Sequence, residues 1–386
     1  MLSSASTIAQ DEWTPQPAAR PVSRNPVVAP ERRRGRGATV NMPARYERDS
    51  RESVDDGWGS LDSLEAFHTE VTVERPRKII ATNDSPDLSY DRSINPYRGC
   101  EHGCVYCFAR PTHAYMGLSP GLDFETRLFV KDGAAAALER ELAAASYKPK
   151  TIAIGTNTDP YQPSEKRYRV MRQVLEVLAR HNHPVGIVTK SALVTRDIDI
   201  LAPMAGKGLA KVAISLTTLD RKLARTMEPR AAIPERRLET IARLAEAGIP
   251  VTVLVAPIIP ALNDPEIETI LARARAAGAA GAGYVLLRLP LELSELFQQW
   301  LKTHYPDKLN HVMALIRQAR GGKDYDAAFG KRMVGEGPYA WMIGRRFEVA
   351  AAKLGFAKDR TTLRTDLFVA PAKASVRNPA LQLSMF

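Results

Sequence analysis

Cysteine is scarce in this chain: 386 residues contain three, and all fall between Cys100 and Cys107. Three thiols in one short stretch are no disulfide framework, so a disulfide-stapled secreted domain is excluded. Long apolar runs are also absent. With no stretch of about 18 or more apolar residues, no membrane-spanning helix is expected. The first residues lack the basic-then-apolar layout of a secretory signal. The expected location is cytoplasmic, where a reducing medium keeps thiols free. No solenoid-type repeat is visible. Acidic residues are outnumbered, with 43 Asp+Glu against 54 Lys+Arg and a formal charge of +11. The excess is uneven: residues 1–60 carry 9 Arg against 8 acids, whereas 320–386 carry 12 cations against 6 acids. That bias suits a polyanionic partner such as nucleic acid, and suits a generally basic protein equally well.

What is present is enough for a large core, since 45% of the residues are hydrophobic. Composition suggests a tail over 1–70, a catalytic core over 75–290, a helical extension over 291–370 and a flexible tail over 371–386. The Pro-Glu-Arg-Arg-Arg-Gly-Arg-Gly run at 30–37 reads as disordered and solvated. Beyond residue 75, buried β-type runs at 151–155, 185–189, 212–216, 251–255 and 284–288 alternate with helical stretches. The helical stretches are 133–146, 164–181, 196–203, 234–247 and 264–277. Asn263-Asp264-Pro265 reads as a helix start and Gly248 as a helix stop. Strand–helix alternation predicts a parallel sheet with crossover helices. A further strand before Cys100 brings the count to six βα units.

The three cysteines form C-x3-C-x2-C: Cys100, Cys104 and Cys107. Three thiolates can hold three irons of a [4Fe–4S] cluster and leave the fourth open to chelate a small molecule. Zinc is the competing reading, with His102 as a fourth ligand, although His102 lies inside the same short loop and has poor reach. Polar residues crowd the outlet of the 151–155 strand as Thr156, Asn157, Thr158 and Asp159. They are placed either to meet a ligand or to form an Asx-Pro turn capping the next helix. Arg230 can pair with a ligand carboxylate or with a neighbouring acid such as Glu228. Ser215 and Thr217 fall on one side of their strand.

With Tyr106 before its last cysteine, the motif resembles the signature of the radical S-adenosylmethionine (SAM) superfamily. Further segments resemble the spore photoproduct lyase-like, DNA repair-type branch of that superfamily. They are Ser215-Leu-Thr-Thr218, Glu228-Pro-Arg230, Ala247-Gly-Ile-Pro250 and the stretch Val251 to Asp264. The likeness covers roughly 75–355. It implies an α/β fold, a partial (β/α)6 TIM-type barrel with function at the C-terminal ends of the strands. It also implies a [4Fe–4S] cluster on Cys100, Cys104 and Cys107, the catalytic and metal-holding residues. SAM bound to the open iron would be split by an electron into methionine and a 5′-deoxyadenosyl radical, a lyase-like activity fed by a donor such as flavodoxin or ferredoxin. Tyr106, Thr156, Asn157, Thr158, Asp159, Ser215, Thr217 and Arg230 become candidate SAM-binding residues. The family's Gly-Gly-Glu motif is absent, so Thr156–Asp159 are matched by position only.

All three cysteines are taken by the cluster, so no cysteine remains to return a hydrogen atom to substrate, and a second Cys-bound cluster is excluded. A tyrosine or 5′-deoxyadenosine would have to donate. Arg110, His113 and Tyr115 follow the motif closely enough to contact cluster or substrate. Between 319 and 347, glycines, aromatics and cations interleave. That segment suits either phosphate and base contact or closure of the barrel's open side. Gln382, Leu383 and Phe386 resemble the short peptide by which bacterial repair proteins bind the sliding clamp, or form an apolar tail. The expected activity is radical chemistry on nucleic acid. The alternatives are a radical SAM enzyme for a small molecule or peptide, and a non-catalytic iron–sulfur module.

Overall fold

The computed structural model describes residues 27–46, 65–357 and 361–372. Among them the strands are β1 Glu70–Glu74, β2 Ile80–Thr82, β3 Arg92–Ile94, β4 Tyr97–Arg98, β5 Arg127–Lys131, β6 Ile152–Ile154, β7 Val185–Thr189, β8 Ala210–Ser215, β9 Val251–Ile258 and β10 Gly281–Leu286. Six of them, β3 and β6 to β10, lie side by side and parallel in the order β10-β9-β8-β7-β6-β3, with β2 antiparallel at the edge. The parallel sheet of six βα units expected from the alternation is there, and it forms the partial barrel that the resemblance implied. A small second sheet, β1-β5-β4, stands beside the cysteine loop.

Valines and isoleucines dominate the barrel strands because β-branched side chains suit a pleated, covered surface. Val251, Val253 and Val255 of β9 are buried, while the alternate Thr252, Leu254 and Ala256 are half-buried. The buried rows pack under crossover helices Ala134–Leu142, Val170–Arg180, Ile198–Gly206, Pro234–Glu246 and Ile267–Ala276. The other rows face the barrel interior. Helix ends fall where their signals lie. Gly248 adopts φ 74°, and Asp264–Glu266 forms a 3-10 turn that runs straight into the helix Ile267–Ala276.

Two expectations need correction. The helical run at 164–181 is two helices, Glu165–Tyr168 and Val170–Arg180, broken at Arg169 with φ 52°. The cause is the buried Glu165 carboxylate, which accepts the amide of Met171 at 3.0 Å and the Tyr97 hydroxyl at 2.5 Å, so it seals the start of the second helix. The last barrel strand lies at 281–286 rather than 284–288. Gly281 and Gly283 give no apolar signal, yet Thr252 and Leu254 of β9 fill the space beside them. Arg288 therefore sits beyond the strand, at its outlet.

The ends of the chain cover the barrel. Arg320 donates to the carbonyls of Leu286, Leu287 and Lys331, and the Leu286 amide donates to Met333. The same segment reaches the loop before β3, where Arg332 pairs with Asp87 at 2.7 Å and the Gly330 amide donates to Asp87. Residues 320–335 thus span the open side. At the opposite end of the strands, Arg364 donates its amide to Gly208 and Val369 its amide to His181.

Candidate functional site

The cysteine loop leaves β4 and hangs over the C-terminal ends of the barrel strands. Gly99 and Gly103 hold φ of 71° and 67°, the left-handed turns that let the loop fold back on itself. A Cβ on Gly103 would meet Glu125 Oε2 at 2.6 Å, so close packing also requires glycine there. The loop is fixed from behind. Arg110, fully buried, donates to the carbonyls of Cys104, Gly103, Pro120 and Gly121 and pairs with buried Glu125. Five guanidinium donors in a rigid fork are well matched to such a set of acceptors. Arg110 is therefore a brace for the loop. His113 is also buried, with Nε2 2.9 Å from the Arg127 carbonyl, while Tyr115 is exposed and stacks on Tyr46.

Residues 36–44 also line the back of the loop. The amides of Gly37 and Ala38 donate to Glu125 at 2.9 and 2.8 Å, and Ala38, Val40 and Met42 join the core around Cys104 and Tyr106. The expectation of a solvated run at 30–37 is corrected at this point. Arg36 is buried because Glu125, Phe67 and Thr69 supply acceptors, and Gly37 is small enough to lie against the Gly103 carbonyl.

Cys100 and Cys104 are buried, Cys107 is half-buried, and all three thiols are free. They share one electrostatic neighbourhood, Cys100 feeling Cys104 and Cys107 and Cys104 feeling Cys107, and the Asp159 amide donates to Cys100. Burial pushes the Cys104 thiol up to about 12 and Cys100 well above its ordinary value, with Asp159 and Glu228 adding to the rise. A bound cationic centre would reverse that balance and draw off the protons. His102 faces Asp159: its Nδ1 lies 3.3 Å from Asp159 Oδ2, off the line of a directed hydrogen bond. Among the described residues no group of three or more His, Cys, Asp or Glu side chains is arranged to hold a single metal ion, which counts against the zinc reading. Three soft donors on one loop fit an iron–sulfur cluster, whose thiolates stand around a cube instead of converging on one ion.

The candidate SAM-binding residues divide into two groups. Asp159 accepts from Thr189 at 2.6 Å, from the Tyr161 amide and from the Lys190 amide. Burial alone would raise its pKa, but His102, Lys190 and Thr189 outweigh burial and hold it well below the usual carboxylate range. Thr158 donates to the Tyr97 carbonyl, Ser215 to the Ala256 carbonyl, and Tyr106 and Thr217 both donate to Glu228. Glu228 is buried and paired with Arg237. Arg230 pairs with Glu101 at 3.0 Å, so the neighbouring acid of the competing reading is Glu101 and not Glu228. These side chains already have protein partners. Thr156 and Asn157 are the more open members, tied to Asn95 at 3.5 and 3.0 Å, the latter through the Asn157 amide.

Several residues at the mouth escaped sequence reasoning. Lys190 follows β7, and its charge is felt by Cys104, Cys107 and Asp159. Burial works against that charge, but the thiols and Asp159 raise its pKa. Its signal was a cation directly after a buried strand, the same signal that marked Thr156–Asp159. Arg288 follows β10 with its guanidinium 4.3 Å from the centre of the Phe108 ring. Tyr90 and Tyr325 complete the rim: Arg288 feels both phenols, and Tyr90 also bonds Thr156. Gln382, Leu383 and Phe386 lie outside the described residues.

A model of the radical SAM superfamily matches residues 94–274. A protein of Mycobacterium tuberculosis of uncharacterised function is 39% identical over 233 residues, covering 60% of this chain and 68% of the relative. One from Methanocaldococcus jannaschii, also uncharacterised, is 26% identical over 238 residues, 62% of this chain and 85% of its own. Among solved structures, spore photoproduct lyase with bound SAM and dinucleoside spore photoproduct aligns with a TM-score of 0.54 at 16% identity, covering 74% of this chain and 80% of the lyase. That likeness shows a shared fold. No helix among the described residues is long and apolar enough to cross a membrane. With a family match spanning the cysteine loop and most of the barrel behind it, the chain belongs to the radical SAM superfamily, enzymes whose cofactors are a [4Fe–4S] cluster and S-adenosylmethionine.

Proposed function

We propose that this enzyme reductively cleaves SAM at a cluster held by Cys100, Cys104 and Cys107 and directs the resulting chemistry at nucleic acid. The carrying observation is the composition of the mouth: cations and exposed aromatic rings surround the cysteine loop. Arg288 lies over Phe108, Arg332 over Phe329 at 4.7 Å, and Arg45 beside Tyr46 and Tyr115 at 5.2 and 5.4 Å. The exposed rings suit unstacked bases, and Arg288 suits a phosphate, whereas Arg332 and Arg45 are already paired with Asp87 and Glu292. A base would have to leave its stack, or come from a single strand, to reach the barrel interior.

When bound, the cluster and SAM supply a 5′-deoxyadenosyl radical, formed as one electron breaks the carbon–sulfur bond and methionine departs. The chain's own residues hold and orient. Lys190 is placed to receive the SAM carboxylate, and Thr156 and Asn157 its polar groups. Asp159, Thr158, Ser215, Thr217 and Tyr106 keep the strand outlets rigid through bonds already made within the protein. The Glu101 pairing holds Arg230 against the back of the loop. With every cysteine assigned to the cluster, a hydrogen donor must come from elsewhere, and Tyr90 and Tyr325 are the phenols at the rim. A flavodoxin- or ferredoxin-type protein would deliver the electron. Binding of a sliding clamp through Gln382, Leu383 and Phe386 is a further proposed partnership.

The test is anaerobic reconstitution with iron and sulfide, then SAM and dithionite, with 5′-deoxyadenosine measured with and without damaged single-stranded DNA. Product formation stimulated by DNA supports the reading. Product formed equally without DNA, and stimulated by peptides or small metabolites, would move the substrate to those classes. A full cluster with no cleavage under any of these conditions would overturn it.

A further inference from the structure

Most cations near the site are neutralised by protein acceptors. Arg110 has Glu125, Arg237 has Glu228, Arg230 has Glu101, Arg332 has Asp87, and Arg320 has three carbonyls. Arg288 differs. Among the described residues no carboxylate pairs with it and its guanidinium makes no hydrogen bond, although it is half-buried. Its neighbours are the Phe108 ring, the phenols of Tyr90 and Tyr325, a second cation, Arg332, and one thiol of the cluster loop, Cys107. A partly desolvated guanidinium beside another cation is costly unless something negative completes it. Stacking on Phe108 uses the face of the group and leaves the edge, with its N–H donors, open for an oxyanion.

We infer that Arg288, seated on Phe108 and flanked by Tyr90 and Tyr325, is an oxyanion-binding site for the substrate, and that its occupant is a phosphate of the nucleic-acid strand. The source of the occupant rests on the function proposed above, whereas the oxyanion site rests on the Phe108 stacking and on the lack of a carboxylate or hydrogen-bond partner among the described residues. The chief rival occupant is the SAM carboxylate, for which Lys190 is the better placed cation, since it feels two of the cluster-loop thiols and Asp159.

The experiment uses the full reconstituted chain, a fluorescently labelled single-stranded DNA oligonucleotide, SAM and inorganic phosphate. Arg288→Gln should weaken oligonucleotide binding about tenfold and lower its salt slope by about one. Arg345→Gln, on the exposed face of the helix Gly337–Lys353, is the control and should change neither. Unchanged affinity and slope in Arg288→Gln would overturn the inference. So would a loss of SAM affinity as large as the loss for DNA, because the carboxylate would then be the occupant. If the native chain fails to bind DNA, the nucleic-acid reading falls and phosphate decides the site. A phosphate-induced rise in Tm that disappears in Arg288→Gln keeps the oxyanion site, while no rise in either protein removes it.

Discussion

Replacing Glu125 by Gln leaves the Arg110 guanidinium, which ties the loop carbonyls of Gly103 and Cys104 to those of Pro120 and Gly121, buried with no counter-charge. Breaking a buried pair from one side costs about 3–5 kcal/mol. Glu125→Gln should therefore lower the urea midpoint and reduce the iron retained per chain, readable by denaturation and iron assay. Cys104→Ala acts on the same loop from its open face. It should abolish the cluster absorbance and 5′-deoxyadenosine formation together, and cleavage retained in that variant would remove the loop from its assigned role.

His183 provides a pH test away from the site. It accepts from Tyr147 at 2.7 Å and donates to the Pro184 carbonyl, and burial holds its pKa down to about 4. Its folded pKa lies below the unfolded value of 6.5, so protons favour the unfolded chain as pH falls through that window. Stability should drop by about 2 kcal/mol between pH 7 and pH 5 from this group. Urea titrations of His183→Gln should show a correspondingly flatter dependence over the same interval. At this scale the sequence was legible where spacing is chemical, as in the three cysteines. It was opaque where a role depends on a partner distant in the chain. Nothing near position 110 announces Glu125 as an acceptor, and Arg230 gives no local sign of Glu101.

Strands and crossover helices were the most readable elements, because β-branched runs flanked by amphipathic helices leave few alternatives. The errors share a cause. The break at Arg169 follows from the Glu165 carboxylate, and the displaced start of β10 from side chains on β9, both interactions between elements. The segment around Gly37 failed for the same reason: Arg36 looks solvated until acceptors from Glu125, Phe67 and Thr69 are brought to it. Gly37→Ala would drive a Cβ into the Gly103 carbonyl. The expected outcome is a chain with native far-ultraviolet circular dichroism but a poorly filled cluster, since the barrel is untouched and the loop must move. Full iron content in that variant would show that the segment can shift without consequence.

For the whole molecule, net charge is a poor guide to where an anion would bind. The basic C-terminal region spends much of its charge internally, through Arg317–Asp324, Lys331–Glu336, Arg332–Asp87, Arg346–Glu268 and Arg364–Asp366. Field at the mouth comes instead from a few cations without carboxylate partners, which the formal +11 does not identify.

The packing of residues 36–44 behind the cysteine loop has a consequence for dividing the molecule. The family match begins at residue 94, and a fragment of 94–274 would contain every cysteine and four of the six parallel barrel strands whole. It would lack Gly37 and Ala38, whose amides help hold Glu125, and also Arg288 and the segment across the open side. Expressed alone, that fragment should retain little iron after desalting compared with the full chain. The smallest unit expected to keep its cofactor is larger than the segment the family model matches, and a portion of it is made before the first cysteine leaves the ribosome.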